Sequence, residues 1–218
     1  MRRVILLTAV LTVMGLVGQS CHDEKDPSNS IPPVFSVTPV DLSGAYDPSD
    51  STLGDIKFIK PVIVPFGTLL DQYRLSPAIE YYTRPEAPVR AVTAGLIEAV
   101  TANPPEQGDY EIRITCLPGS DYTVIYDHLL DVIVQAGIRV APGDTLGTAG
   151  TWLDKLRRTE LQVNLGDGNN TRSYCPLNYG DSSFVEGHRR LFQEYIARIV
   201  LLDLPAYDTL CLSGPVIP

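Results

Sequence analysis

Histidine is scarce in this chain. Its 218 residues include only three, His22, His128 and His188. His22 lies in a polar N-terminal segment and His188 in a later segment with helical spacing, so only His128 falls within the strand-rich middle of the sequence. Hydrolytic zinc sites are usually built on two or three imidazoles with an open position for water. The sequence therefore predicts no site of that kind.

Positive charge is also in short supply. Lys and Arg number 17 against 26 Asp and Glu, for a net charge of −9, and no lysine occurs between Lys60 and Lys155. This acidity disfavours nucleic acid and anionic membrane surfaces as partners. The missing lysines argue against a lipoyl-type domain, which needs a modifiable lysine at a hairpin tip.

A long apolar run occurs at the N-terminus, where Arg2 and Arg3 precede Val4–Val17. This pattern predicts an export signal over residues 1–20. The small and polar residues that follow end at Cys21, and this junction resembles the lipobox of bacterial lipoproteins, although Gly18 and Gln19 depart from its usual residues. We expect lipid attachment at Cys21, with ordinary cleavage nearby as the alternative. Cleavage would leave 15 Lys and Arg against 26 Asp and Glu, a net charge of −11.

Residues 21–55 are rich in Asp, Pro and Ser, and this composition predicts a flexible tether without a core. Two apolar features, Val34–Val37 and Leu42, leave open an edge strand that packs on the main domain.

The segment Thr123–Gly150 predicts a compact antiparallel β unit. Short β-branched runs alternate there with turns at Gly137 and Gly143, and the further glycines Gly147 and Gly150 indicate more sharp turns. The β-branched runs are Thr123–Ile125, Val132–Val134 and Ile138–Val140.

The sequence of this segment resembles that of the lysostaphin/LytM-type (M23) metallopeptidases. Tyr126-Asp-His128-Leu matches the family's Tyr-x-His-Leu, and residues 137–147 match its Gly-x-x-Val-x-x-Gly-Asp-x-Leu-Gly run. Pro88–Gly95 resembles an upstream strand and turn of the same family. The resemblance implies a mainly β fold, a small antiparallel β-barrel or sandwich of the LytM (duplicated hybrid motif) type with a C-terminal helix. The M23-like β domain is expected over residues 56–166.

The same resemblance locates the family's zinc site. Its His-x-x-x-Asp motif falls on Ser76 and Glu80, and its His-x-His motif on Arg158 and Glu160. In the family, the second histidine of His-x-His binds the zinc, so a hydroxyl at Ser76 and a carboxylate at Glu160 would stand where imidazoles hold it. Arg158 would add a cation that repels zinc. We expect no catalytic residue, no metal and no cofactor, and a degenerate groove that is lined by Ser76, Glu80, Tyr126, His128, Arg158 and Glu160. Surface positions without a pocket, or an altered metal site of Glu80, Glu160 and His128, remain the alternatives, and packing of the sheet is favoured for Tyr126.

Residues 167–218 are expected to form a loop, a helix and a tail that pack on the β domain. Helical spacing of Phe184, Leu191 and Tyr195 predicts the packed face, Ser183 and Glu186 suggest a capping box, and His188 is expected to be exposed. Of the remaining cysteines, Cys116 is predicted to be a buried strand residue, whereas Cys175 and Cys211 flank the helix and would clamp it if bonded.

The preferred functional hypothesis is a lipid-anchored protein of the cell envelope, on its periplasmic or outer-surface face. Its non-catalytic M23-like domain would bind peptidoglycan or regulate a cell-wall hydrolase. The alternative is an active zinc-dependent M23 peptidoglycan endopeptidase. An export-system adaptor of the lipoyl or membrane-fusion type would need long helical hairpins, which the sequence does not offer.

Overall fold

The computed structural model describes residues 30–59, 62–104, 108–116, 120–153, 156–166, 168–202 and 207–218. The predicted signal peptide and Cys21 lie outside these ranges. Within them, no helix combines the length and the apolar character that crossing a membrane requires.

The described residues form twelve β-strands and one α-helix. The strands are β1 (Thr52–Leu53), β2 (Ile56–Lys57), β3 (Ile63–Val64), β4 (Ala78–Thr83), β5 (Pro88–Arg90), β6 (Gly95–Ala102), β7 (Tyr110–Thr115), β8 (Tyr122–Leu130), β9 (Arg139–Val140), β10 (Thr145–Leu153), β11 (Leu156–Leu165) and β12 (Arg172–Tyr174), and the helix is α1 (Ser182–Leu202).

These strands make one curled antiparallel sheet with the order β1-β2-β4-β11-β10-β8-β7-β6-β9. The long strand β11 is its centre, because it pairs with β4 on one side and with β10 and β8 on the other. The sheet and the single C-terminal helix confirm the predicted fold class, which is mainly β.

The two faces of β8 and β11 differ in chemistry, as the two-residue period of a strand requires. Val124, Tyr126, Leu161 and Val163 are fully buried on one face. On the other face, Asp127, Glu160 and Gln162 are only partly buried. The apolar face forms the core, and the polar face is available for a functional site.

The N-terminal segment packs on this core from Phe35 onward. Phe35, Val40, Leu42 and Leu53 are at most 2% exposed. Phe35 also bonds through its backbone N–H to the Tyr179 carbonyl at 2.8 Å. Residues 35–55 thus pack on the domain, in line with the alternative that the sequence left open for Val34–Val37 and Leu42.

Helix α1 covers one end of the sheet through Phe184, Leu191 and Tyr195, which are at most 1% exposed, as their spacing predicts. Its N-terminus is capped by Asp181, whose Oδ1 accepts hydrogen bonds from the backbone N–H groups of Ser183 and Phe184 at 2.9 and 3.0 Å. The capping box predicted from Ser183 and Glu186 is therefore replaced by an aspartate cap two residues earlier.

His188 is buried, at 1% exposure, which corrects the expectation of a solvent-exposed side chain. Its Nε2 lies 2.7 Å from the Tyr81 hydroxyl and its Nδ1 lies 2.8 Å from the Phe184 carbonyl. Burial lowers the pKa of His188 to about 4, although the Phe184 carbonyl opposes the shift. A neutral imidazole thus joins the helix to β4.

Cys175 and Cys211 form a disulfide that ties the segment after α1 to the segment before it. The remaining described cysteine, Cys116, is free and buried, directly after β7. Both observations agree with the interpretation of the cysteine spacing.

Two local predictions in the β unit fail. Val132–Val134 forms no strand, and Gly147 and Gly150 lie inside β10 instead of at turns. Gly137 and Gly143 do turn the chain, with φ of 87° and 92°. The glycines of β10 instead permit close packing, since a Cβ at Gly150 would lie 2.7 Å from the His128 carbonyl oxygen.

Candidate functional site

A row of three carboxylates crosses the polar face of the sheet. Glu160 on β11 is directly opposite Glu80 on β4 and directly opposite Asp127 on β8. Residues that face each other across neighbouring strands project to the same side of a sheet. The row therefore brings together positions that are far apart in the chain.

Arg158 supplies positive charge at one end of this row. Its Nη1 donates a hydrogen bond to Glu80 Oε1 at 3.2 Å, and the two side chains are only 17% and 9% exposed. Burial raises the pKa of Glu80, as does the neighbouring Glu160, whereas Tyr82 and Arg158 lower it. The ion pair offsets part of the cost of holding this carboxylate out of water.

His128 supplies positive charge at the other end. Its Nδ1 lies 2.9 Å from Asp109 Oδ2, and its Nε2 lies 3.4 Å from Glu160 Oε1 and 3.8 Å from Asp127 Oδ2. Burial lowers the pKa of His128, but Glu160 and Asp127 raise it more, to about 9. At neutral pH the ring is an imidazolium whose two N–H groups both face carboxylates.

The surroundings of His128 are fixed by a second set of contacts. Asn103 Nδ2 donates to Asp109 Oδ1 at 2.7 Å and to Asp127 Oδ1 at 2.6 Å. The backbone of His128 is left-handed, with φ of 58°, a conformation that non-glycine residues seldom adopt. Its own N–H donates to Asp127 Oδ1 at 2.7 Å. The imidazole is therefore held in one orientation.

Among the described residues, one group has metal-ligand geometry. Atoms of Asp109, Asp127 and His128 that could each bind a cation lie within 4.8 Å of one another. Those side chains are already hydrogen-bonded to each other or to Asn103. A metal ion would have to displace the proton of His128 before it could bind there.

The structure brings together four of the six predicted groove residues, namely Glu80, His128, Arg158 and Glu160. It places the other two elsewhere. Ser76 is buried, and its hydroxyl donates to the Ala78 carbonyl at 2.8 Å. Tyr126 is fully buried in the core, where its hydroxyl accepts the backbone N–H of Val92 at 2.7 Å.

Sequence reasoning missed four members of the site, Asn103, Asp109, Asp127 and Tyr82. Asp127 could have been found, since it lies between Tyr126 and His128 and its side chain alternates onto the polar face. Asn103 and Asp109 lie between β6 and β7, where no motif marks them.

Comparison with known proteins gives similarity in structure alone. No protein-family model matches the sequence, and no curated protein matches it either. Among solved structures, the chain is similar to the solution structure of lysostaphin, with 14% identity, a TM-score of 0.45 and coverage of 70% of this chain and 55% of that one. It is also similar to a mutant catalytic domain of the prophage-encoded M23 protein EnpA from Enterococcus faecalis, with 21% identity, a TM-score of 0.43 and coverage of 58% and 98%.

A third similar structure is Csd3 from Helicobacter pylori, with 18% identity, a TM-score of 0.48 and coverage of 78% of this chain and 40% of that one. The chain thus spans about half of the lysostaphin structure and less than half of Csd3. These neighbours are of the M23/LytM type, which is the family that the sequence motifs resemble.

Proposed function

We propose that this chain is a non-catalytic, M23-like protein of the cell envelope that binds peptidoglycan or regulates a cell-wall hydrolase. The observation that carries the proposal is the Arg158–Glu80 ion pair, in which a cation is held at Glu80, a position that the sequence resemblance gives to a zinc ligand. A guanidinium 3.2 Å from the carboxylate opposes a dication at the same oxygen.

The residues at the other ligand positions do not fit zinc either. Ser76 offers a hydroxyl instead of an imidazole nitrogen, and that hydroxyl is directed to its own backbone. Glu160 Oε1 lies 3.4 Å from His128 Nε2, and the raised pKa of His128 gives this imidazole a positive charge at neutral pH. Because Arg158 and His128 already compensate the carboxylates, we derive no hydrolytic step for this site.

Attachment of lipid to Cys21 is part of the proposal. Its support is the sequence alone, a short apolar segment that ends at a cysteine before a Pro- and Ser-containing stretch. Eight residues, His22–Asn29, separate this cysteine from the described domain. Fully extended they would span roughly 30 Å, so the domain would stay close to the membrane and face the cell wall.

Cosedimentation with isolated peptidoglycan sacculi tests the binding role. The purified chain should pellet with the sacculi, release no soluble fragments when zinc is added, and bind equally well in the presence of a chelator. Calorimetric titration of zinc should show no stoichiometric binding. Zinc-dependent release of fragments by the purified chain would establish the alternative, an active endopeptidase.

Two variants sharpen the test of the site. Arg158→Ala removes the guanidinium beside Glu80, and Arg189→Ala removes an exposed one that pairs with Glu186 on helix α1. If the polar face of the sheet is the binding surface, only the first variant should change cosedimentation. Crosslinking in intact envelopes, followed by mass spectrometry, addresses a hydrolase as partner.

A further inference from the structure

Residues 207–218 form a strap that follows helix α1 and lies against two earlier parts of the chain. At its first contact, the N–H of Phe66 donates to the Leu210 carbonyl at 3.1 Å, and the N–H of Leu212 donates to the Phe66 carbonyl at 2.8 Å. Phe66 is fully buried and Leu210 is 4% exposed. The strap therefore covers an apolar position of the core.

The second contact of the strap covers a buried polar network. Ser173 on β12 and Val216 exchange both of their N–H···O bonds, at 2.8 and 3.0 Å. On its other side Ser173 faces Asn164 on β11, and its Oγ donates to Asn164 Oδ1 at 2.6 Å. Gln162 Nε2 donates to the same oxygen at 2.8 Å. Because Gln162 is two residues from Glu160 and shares its face, the network borders the carboxylate row of the candidate site.

One covalent bond joins the two contacts. Cys211 lies between Leu210 and Leu212, and its disulfide partner Cys175 directly follows β12. The backbone pairings of the strap are isolated bridges that do not extend into a strand of its own. Short stretches with few buried contacts open locally at little cost in free energy. The disulfide is therefore the contact that keeps the strap closed.

The two cysteines differ in accessibility. Cys175 is 3% exposed and belongs to the core, whereas Cys211 is only partly buried. Thiol–disulfide exchange requires that a thiolate reach one of the two sulfurs. An incoming thiolate reaches Cys211 more readily, and Cys211 is also the cysteine that would leave with the strap. Cys175 would stay in the core.

We propose that the Cys175–Cys211 disulfide is a redox latch, which a dithiol reductant opens to release the strap. A thiolate of the reductant attacks Cys211 Sγ and forms a mixed disulfide, while the bond between the two protein sulfurs breaks and Cys175 leaves as a thiolate. The second thiolate of the reductant then attacks the reductant's own sulfur in the mixed disulfide and releases the Cys211 thiolate. Two electrons pass to the protein, both cysteines take up the protons that the reductant's thiols lose, and the reductant is oxidised to its own disulfide.

The latch determines whether Phe66 and the backbone of Ser173 are covered or open, and with them the polar network beside the carboxylate row. The inference rests on the proposed function for its location, because disulfides form and persist in exported proteins. It adds a regulated state of that site.

Amide hydrogen exchange, followed by ¹H–¹⁵N NMR with and without dithiothreitol, tests the release of the strap. The N–H groups of Leu212, Ser173 and Val216 donate across the two contacts. On reduction their exchange should accelerate at least about tenfold more than that of the amides of β8 and β11, whose chemical shifts should stay the same.

Two variants separate the bond from the reagent. Cys175→Ala combined with Cys211→Ala should show the fast exchange without reductant. Cys116→Ala keeps the disulfide and should respond to dithiothreitol as the wild type does. The site of attack is tested with a thioredoxin whose resolving cysteine is replaced by serine, which traps the mixed disulfide. Mass spectrometry should find the trapped thioredoxin on Cys211.

Equal exchange of the strap amides in both states, equal acceleration across the whole sheet, or loss of the β8 and β11 signals on reduction would each overturn the inference. So would thioredoxin trapped on Cys175 or on neither cysteine. Cosedimentation of the same samples with sacculi separates the latch from the proposed function. If the strap opens on reduction but neither state pellets, the latch stands and the peptidoglycan role falls. If the chain pellets but the strap does not open, the role stands and the latch falls.

Discussion

Replacing Arg158 by leucine should destabilise the fold through Glu80. The substitution leaves a carboxylate that is 9% exposed next to Glu160, without the guanidinium that lies 3.2 Å away. Breaking one partner of a buried pair costs about 3–5 kcal/mol. Because Arg158 is itself 17% exposed and water reaches its edge of the site, we expect about 2–3 kcal/mol.

The loss of stability in Arg158→Leu arises from the uncompensated charge of Glu80. A double-mutant cycle therefore isolates the interaction free energy of the pair. Glu80→Gln alone should also destabilise, since it leaves Arg158 without its carboxylate. The double variant should be more stable than the sum of the single effects predicts, by at least about 1 kcal/mol. The cost of Arg158→Leu should also shrink below neutral pH, because the raised pKa of Glu80 lets that carboxyl take up a proton.

Urea unfolding at pH 7, followed by circular dichroism, measures all four free energies of unfolding. The matched control is the exposed helical pair Glu186 and Arg189, where the corresponding changes should have little effect on stability. Strict additivity of Glu80→Gln and Arg158→Leu would refute the reasoning, since it would mean that the two side chains do not compensate each other.

Three further predictions concern pH and redox state. The pKa of His188 is about 4 in the fold against an ordinary 6.5, so the unfolded chain takes up the proton first and stability should fall by up to about 3 kcal/mol as pH drops from 6.5 to 4. His188→Gln should flatten this dependence in urea midpoints, and an unchanged slope would contradict it. The pKa of His128 is raised to about 9, so its contribution is complete below pH 6.5 and should be lost as pH rises through 9. NMR titration of the imidazole checks this shift, and a midpoint near 6.5 would disprove it. Reducing Cys175–Cys211, which are 36 residues apart, should cost about 4 kcal/mol, and equal urea midpoints with and without dithiothreitol would show that the bond does not stabilise the fold.

The fold could be predicted where turns and β-branched runs alternate, because both signals are local. That Glu80 and Glu160 would line one groove could also be predicted, from the resemblance of their two segments to the family's ligand-bearing segments. The contact of His128 with Asp109 and that of Asn103 with Asp109 and Asp127 could not be predicted, because they depend on the conformation of the connection between β6 and β7.

The burial of His188 and of the N-terminal segment has a common physical origin. In both cases the position of a residue in the fold, and not its type alone, determines whether it is buried. His188 is four residues after Phe184 and three before Leu191, so its position is on the buried stripe of α1 despite its polarity. Phe35 and Leu42 likewise lie in a segment of polar overall composition, yet both are buried. A polar side chain with partners, or a short apolar stretch within a polar segment, can occupy a core position.

The charges of the site determine which ligands its polar face would attract. Four carboxylates, Glu80, Asp109, Asp127 and Glu160, lie with two cations, Arg158 and His128, so negative charge remains in excess. Long-range attraction by this excess raises the local concentration of cationic ligands and weakens with salt. We therefore expect the polar face to favour cationic ligands over anionic ones.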